Sequence, residues 1–176
     1  MAELSRADIL KYFEEINNRL AFDGKHGEIL LTGGAALTLV FNARNSTRDI
    51  DAVFRPMQDM RKIISSIAKE HSLESDWLND AVKTYVTDKL TVEPFKAYSN
   101  LTITTVDAKS LLAMKLNSAR FGTKDMDDSI FLMNLLNIKT EKEVFDILDK
   151  HVDPFLRKTR VKFFTQEAFQ KYLQAP

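Results

Sequence analysis

The sequence contains no cysteine. Disulfides, zinc–thiolate centres and cysteine nucleophiles are thereby excluded. Neither charge is in excess: 25 Lys and Arg balance 25 Asp and Glu, for a formal net charge of zero. A strongly basic nucleic-acid scaffold is excluded, whereas a local basic patch is not. The histidines His26, His71 and His151 are scattered and match no metal-ligand spacing, and no serine or threonine sits in a nucleophile elbow. No apolar run reaches the roughly 18 residues a membrane span requires. The opening MAELSRADIL carries charges where a signal peptide has its apolar core. These absences lead to the expectation of a soluble cytoplasmic protein with no membrane partner. Internal repeats, low-complexity tracts and linkers rich in Pro, Gly or Ser are also missing. What is present suffices for a packed core: 44% of the 176 residues are hydrophobic against 28% charged, an ordinary single-domain composition.

The first periodic segment, LSRADILKYFEEINNRL, predicts a helix that Ser5 caps with Asp8 three residues on; Ile9, Phe13, Ile16 and Leu20 share its buried face. After the loop AFDGKHG, the apolar EILLT reads as a strand, which Gly33 and Gly34 turn into the helix AALTLVF. The loop ARNST precedes a second strand, DIDAVF, which Pro56 ends. Met57, Met60, Ile63, Ile64 and Ile67 then fall at helical spacing, to about His71. SLESDWLNDAVKTYV reads as a further helix, with Trp77 in the core. LTVEPF and NLTITTV read as strands joined near Ser99–Asn100. From Asp107 the chain reads as helical: DAKSLLAMKLNSAR, DDSIFLMNLLN, TEKEVFDILDKHV with a Thr140/Glu143 capping box, and TQEAFQKYLQ. The expected fold is mixed α/β, a small mixed sheet with helices packed on it. Residues 1–106 form the core, and 107–176 a helical C-terminal part of the same compact unit.

Two features stand out against this background. A chain with five glycines places two together, Gly33 and Gly34, where a strand feeds a helix. A glycine turn there leaves helix-start amides free and lets an anion approach the backbone closely. Asp49 and Asp51 then sit two residues apart on a predicted strand, so they project to one face while Ile50 faces the core. Two such carboxylates repel unless a cation lies between them. Hard divalent cations favour these ligands, and Mg²⁺ keeps positions open for phosphate oxygens. The combination suits metal-assisted phosphoryl or nucleotidyl transfer.

The run GGAALTLVFNARNSTRDID resembles the first motif of the DNA polymerase β-type nucleotidyltransferase superfamily: glycine turn, helix, then D-x-D. With Arg44 and Thr47 ahead of the carboxylates, it is most similar to the AbiEii-type branch of minimal nucleotidyltransferases, which includes toxins of toxin–antitoxin systems. LLAMKLNSARFGTKDMDDSIFL is similar to that branch's later motifs, with Lys115 on one helix and Asp125, or alternatively Asp128, opening the next. The resemblance implies that Asp49 and Asp51 hold Mg²⁺ (or Mn²⁺) and that Gly33 and Gly34 cradle nucleotide phosphates. Arg44, Thr47, Arg48, Asp125 and Asp128 would contribute to nucleotide binding, and Lys115 would contact the triphosphate. It implies transfer of a nucleotide from an NTP to a hydroxyl of RNA, tRNA in particular, or of a protein, with a cognate antitoxin as a partner. The chain departs from the pattern twice. Many members carry Gly-Ser where Gly33–Gly34 stand, and NLTITTV lacks the third acid that active members carry on a later strand, Glu93 and Asp107 only flanking it. A second expectation follows, a catalytically weak module that binds nucleotide, RNA or a partner protein.

Each of these residues also has a plainer role open to it. Lys115 can snorkel from an apolar stem. Asp125, Asp127 and Asp128 suit a helix start on dipole grounds. Arg44 and Arg48 can pair with Asp49 or Asp51. Arg120 and Lys124 form a solvated basic turn or meet phosphate, and FLRKTRVKFF reads as a solvated face over a core stripe or as an RNA- or partner-binding strip.

Overall fold

The computed structural model describes residues 3–175, and all side chains among them except that of Leu156. Met1, Ala2 and Pro176, at the outer ends of the two expected spans, lie outside the described residues. The chain divides into two compact units. The first comprises residues up to Val86 together with Val92–Val106, and the second Thr87–Thr91 together with residues from Asp107 on.

The first unit is mixed α/β. Its elements are β1 (Leu4–Ser5), α1 (Arg6–Phe22), β2 (Gly27–Leu31), α2 (Gly33–Leu39), β3 (Ser46–Thr47), β4 (Ile50–Arg55), α3 (Met57–Glu70), β5 (Leu78–Asn79), β6 (Val92–Ala97) and β7 (Leu101–Val106). Five strands form a sheet in the order β5-β4-β2-β7-β6, and β1 pairs with β3 separately. β2 runs antiparallel to β4 and parallel to β7, while β6 is the antiparallel edge. Pro94 lies on that edge, where a missing ladder donor is tolerated.

α1 starts as expected. Ser5 and Asp8 close a capping box, worth about 1 kcal/mol at the cap. Ile9, Phe13, Ile16 and Leu20 are fully buried, each contributing roughly 1.5–3 kcal/mol relative to exposure. They join one core cluster with Met60, Ile64 and Ile67 of α3 and with the sheet residues Ile29, Leu31, Ile50, Ala52, Phe54, Leu101 and Ile103. Strand alternation therefore leaves Glu28, Leu30, Asp51, Val53, Arg55, Thr102 and Thr104 on the opposite face, none of them buried.

The helix expected over SLESDWLNDAVKTYV does not form. Its centre is the short strand β5, parallel to β4 with Leu78 opposite Ile50, followed by a 3₁₀ turn, Ala81–Tyr85. Tertiary pairing overrides the local pattern: the Ile50 amide donates to the Trp77 carbonyl at 2.7 Å, and the buried Trp77 indole donates to Ile64 O at 3.2 Å. Three boundaries also shift. α1 continues through Ala21–Phe22, Asp49 precedes β4 rather than opening it, and Ser46–Thr47 form a bridge strand inside the expected loop.

Among the described residues the second unit holds four α-helices, α4 (Ala108–Ser118), α5 (Asp125–Leu135), α6 (Glu141–His151) and α7 (Arg160–Gln174), with a 3₁₀ turn, Pro154–Leu156, before the last. α4 packs on α5 and α6, and α5 on α7. Asp107 caps α4, accepting from the Ser110 amide at 2.7 Å. Thr140 caps α6 by accepting from the Glu143 amide, while the Glu143 carboxylate accepts from Lys139 N. α7 begins at Arg160, before the expected TQEAFQKYLQ, because Val161 and Phe164 are buried and extend its apolar face. No helix among the described residues is long and apolar enough to cross a membrane.

Candidate functional site

The geometry of the glycine turn is set by Thr32. Its backbone is extended, and both its amide and its hydroxyl donate to the Asp51 carbonyl at 3.0 Å. The end of β2 is thereby tied to the start of β4, and the Thr32 hydroxyl is not used to cap α2. Gly33 has φ +56°, and a Cβ there would lie 2.7 Å from Asp51 Oδ2. A Cβ on Gly34 would lie 2.7 Å from Thr47 Oγ1 and 3.4 Å from Arg44 Nη1. The buried Thr47 hydroxyl in turn donates to Asp49 O at 3.1 Å.

Gly33, Gly34, Arg44, Thr47, Asp49 and Asp51, identified separately in the sequence, thus meet in one neighbourhood of the first unit. Arg48 is exposed, and its charge acts favourably on Asp49. The glycine pair has a function more specific than a generic turn: the missing Cβ atoms make room for Asp51 and Thr47. α2 is only seven residues long, so any anion held here is met by the turn and its neighbours rather than by a long helix dipole.

Partial burial pushes the Asp49 carboxyl above its ordinary range, and the charges of Asp51 and Asp76 push it further. No local sequence pattern marks Asp76 as a neighbour of Asp49. The parallel pairing of β5 with β4 brings it near, and that pairing is hidden when the segment is read as a helix. An isolated Trp77–Leu78 apolar pair between Asp76 and Asn79–Asp80 is the signal of a short strand there. Crowded carboxylates of this kind favour a bound cation electrostatically. Among the described residues no group of three or more His, Asp or Glu is placed to hold a metal alone. Asp49 and Asp51 fit a hard cation whose other positions are filled by water and phosphate, as Mg²⁺ prefers.

Neither flanking acid completes a triad on β7. The register Leu30↔Val53 and Leu30↔Thr104 continues the Asp51 face through Thr102 and Thr104. Glu93 pairs with Thr105 and so has the opposite parity, and Asp107 is occupied as the α4 cap.

In the second unit Lys115, Asp125 and Asp128 form a separate buried cluster. Lys115 Nζ lies 2.8 Å from Asp125 Oδ1 and 2.9 Å from Asp128 Oδ2. Its ammonium is buried rather than snorkelled to solvent. Asp125 also accepts from Ser118 Oγ at 2.7 Å and Arg120 Nε at 2.6 Å. Burial alone would raise its carboxyl, but Arg120 and Lys115 outweigh that and hold it down to about 2. Within FLRKTRVKFF, Arg157 turns inward to the Leu148 and Val152 carbonyls, and Phe155 and Phe163 are exposed.

Comparison of the chain with protein-family models, curated proteins and solved structures finds no match.

Proposed function

We propose that the protein is a Mg²⁺-dependent nucleotidyltransferase that moves a nucleotide from an NTP to a hydroxyl of RNA, tRNA being the favoured acceptor, or of a protein. The observation that carries this reading is the closure of the Gly33 turn directly onto Asp51, with Asp49 crowded beside it. Asp49 and Asp51 would hold the cation, with Mn²⁺ as a substitute. Bound there, the cation supplies neutralising charge for triphosphate oxygens and for the pyrophosphate leaving group.

The chain's own residues contribute the rest. The uncapped first turn of α2 offers amides from Gly33 and Gly34, and Arg44 beside Gly34 supplies a guanidinium to an anion on that turn. Thr47 fixes the loop through Asp49 O, which holds the first carboxylate in place for the second. Arg48 adds a solvent-exposed positive charge at the entrance. Lys115, Asp125 and Asp128 belong to the reading through their motif; Lys115 is paired with both aspartates, and Asp125 also with Ser118 and Arg120. A cytoplasmic location, where NTPs and RNA are at hand, accords with this activity, as does control by an antitoxin protein.

One observation favours a second reading, a nucleotide-binding module with weak or no transfer activity. On the face that Asp51 shares, β7 carries no acid, Thr104 standing level with Val53, so a third carboxylate that would serve to activate the acceptor is missing from that strand. Incubation of the full chain with each labelled NTP, Mg²⁺ and total tRNA distinguishes the two. Label on RNA or protein that disappears in Asp49→Ala/Asp51→Ala supports transfer. Mg-NTP binding without label transfer supports the module.

A further inference from the structure

Two stretches of the second unit set cations and aromatic rings side by side. Residues 119–124, between α4 and α5, and residues 154–163, through the start of α7, hold six Lys and Arg and no Asp or Glu, in a chain whose net charge is zero. The fold joins them. Arg160 Nη2 donates to Ser118 O at 3.1 Å, and the Phe121 ring stands edge-on to Phe164 with centroids 5.0 Å apart. Three of the four exposed phenylalanines among the described residues fall here: Phe155 at 97%, Phe163 at 62% and Phe121 at 49%. The turn that displays Phe155 is held in place, since Asp153 accepts from the Phe155 amide at 3.0 Å and Arg157 donates to the Leu148 and Val152 carbonyls. Arg120 and Arg157 are paired with Asp125 and Asp149. Lys158, Arg160 and Lys162 are exposed and meet no carboxylate among the described residues. A merely solvated face calls for the cations alone and leaves the exposed rings unexplained.

We infer that this face binds an unpaired nucleic-acid strand, with Phe155 and Phe163 stacking on bases and Lys158, Arg160 and Lys162 meeting phosphates. Single-strand binding combines those two elements, because every base has a π-face and the backbone carries a charge beside each base. In a duplex the base faces are covered by their stacked neighbours, so exposed rings suit unpaired nucleotides. A protein partner with acidic groups answers the cations, but its apolar side chains call for a continuous apolar patch. Here the rings are interleaved with charge instead: Phe121 follows Arg120, and Phe163 follows Lys162. The inference gives the proposed transferase a surface for its acceptor, yet it does not depend on that activity. Neither NTP nor Mg²⁺ enters it, and it holds equally for a chain that transfers nothing.

The test is fluorescence anisotropy of the full chain with labelled, unstructured RNA and DNA strands of about 12 nucleotides, and with an RNA duplex of the same length, without NTP or Mg²⁺. It is repeated on Phe155→Ala/Phe163→Ala and on Lys158→Gln/Lys162→Gln. All four side chains are exposed, and melting curves close to wild type verify the fold. A single strand should bind at low salt, and more tightly than the duplex. Its log affinity should fall against log salt with a slope of about −2, at about −0.7 for each phosphate met by Lys158, Arg160 and Lys162. Loss of the two rings should weaken binding about tenfold or more with the slope unchanged. Loss of the two lysines should reduce the slope to about −0.7. A preference for the RNA or the DNA strand supports the inference and names the source. No strand binding by the folded wild type, equal binding of strand and duplex, or binding indifferent to either variant overturns it, while leaving the metal–nucleotide site of the first unit standing.

Discussion

A Cβ atom on Gly33 would lie 2.7 Å from Asp51 Oδ2, inside any real carbon–oxygen contact, on a backbone with φ +56°. One glycine therefore meets two demands, a left-handed conformation and the close approach of a carboxylate. Gly33→Ala should lose about 1–3 kcal/mol of stability from backbone strain and displacement of Asp51. It should also weaken Mg-NTP binding well beyond what the stability loss explains. Chemical denaturation and NTP titration at a temperature where the variant is folded check both parts.

Gly34 is constrained by its neighbour rather than by its own backbone. Its hypothetical Cβ lies 2.7 Å from Thr47 Oγ1. Gly34→Ala and Thr47→Ala should consequently be non-additive, the double variant being more stable than the sum of the singles predicts by about 0.5–2 kcal/mol. A double-mutant cycle by urea unfolding measures this.

How much of this was legible beforehand differs between the two halves of the site. Gly33, Gly34, Arg44, Thr47, Asp49 and Asp51 could be chosen from local pattern because the motif spans contiguous chain, from one strand end through a short helix to the next strand. Asp76 could not, since its approach depends on β5 pairing with β4, a contact between segments distant in sequence. The same pairing explains the difference from the expected helix: polar SLESD and NDAVK suit a helix surface, and the parallel pairing of Leu78 and Asn79 with Ile50 and Asp51, with the Ile50–Trp77 hydrogen bond beside it, makes Leu78 a strand residue. Lys115 illustrates a different limit. Its position on α4 was evident, but that Asp125 and Asp128 would both reach its ammonium depends on how α5 packs.

Asp49 is held in an unfavourable environment by burial and by the charges of Asp51 and Asp76. A carboxyl raised in the folded state favours folding below its unfolded pKa and loses that contribution as pH rises through the folded value. At neutral pH the ionised Asp49 therefore opposes folding. Asp49→Asn should raise the melting temperature at pH 7 while removing Mg²⁺-dependent nucleotide binding. Thermal melts at pH 7 and pH 4 should show the gain shrinking at the lower pH.

Asp125 behaves in the opposite sense. Its carboxyl is held down to about 2 from 3.8 in the folded chain. Its contribution is fully present above about pH 4 and is lost as pH falls toward 2, a span worth about 2 kcal/mol. Asp125→Asn should flatten the acid limb of the stability curve over that window. At neutral pH it should cost about 1–3 kcal/mol, because Lys115 and Ser118 lose a charged acceptor while Asp128 still pairs with Lys115. Denaturation midpoints across pH 2–7 provide the comparison.

The central claim is that Asp49 and Asp51, against the Gly33 turn, hold a metal–nucleotide complex. Its most direct test is calorimetric titration of an NTP mixture into the full chain with Mg²⁺, again with the metal chelated, and again with Asp51→Asn. Heat of binding is expected only for wild type with Mg²⁺, with chelation and Asp51→Asn each abolishing it. Binding that is equally strong without Mg²⁺ and in Asp51→Asn, or no binding by the folded wild type, contradicts it.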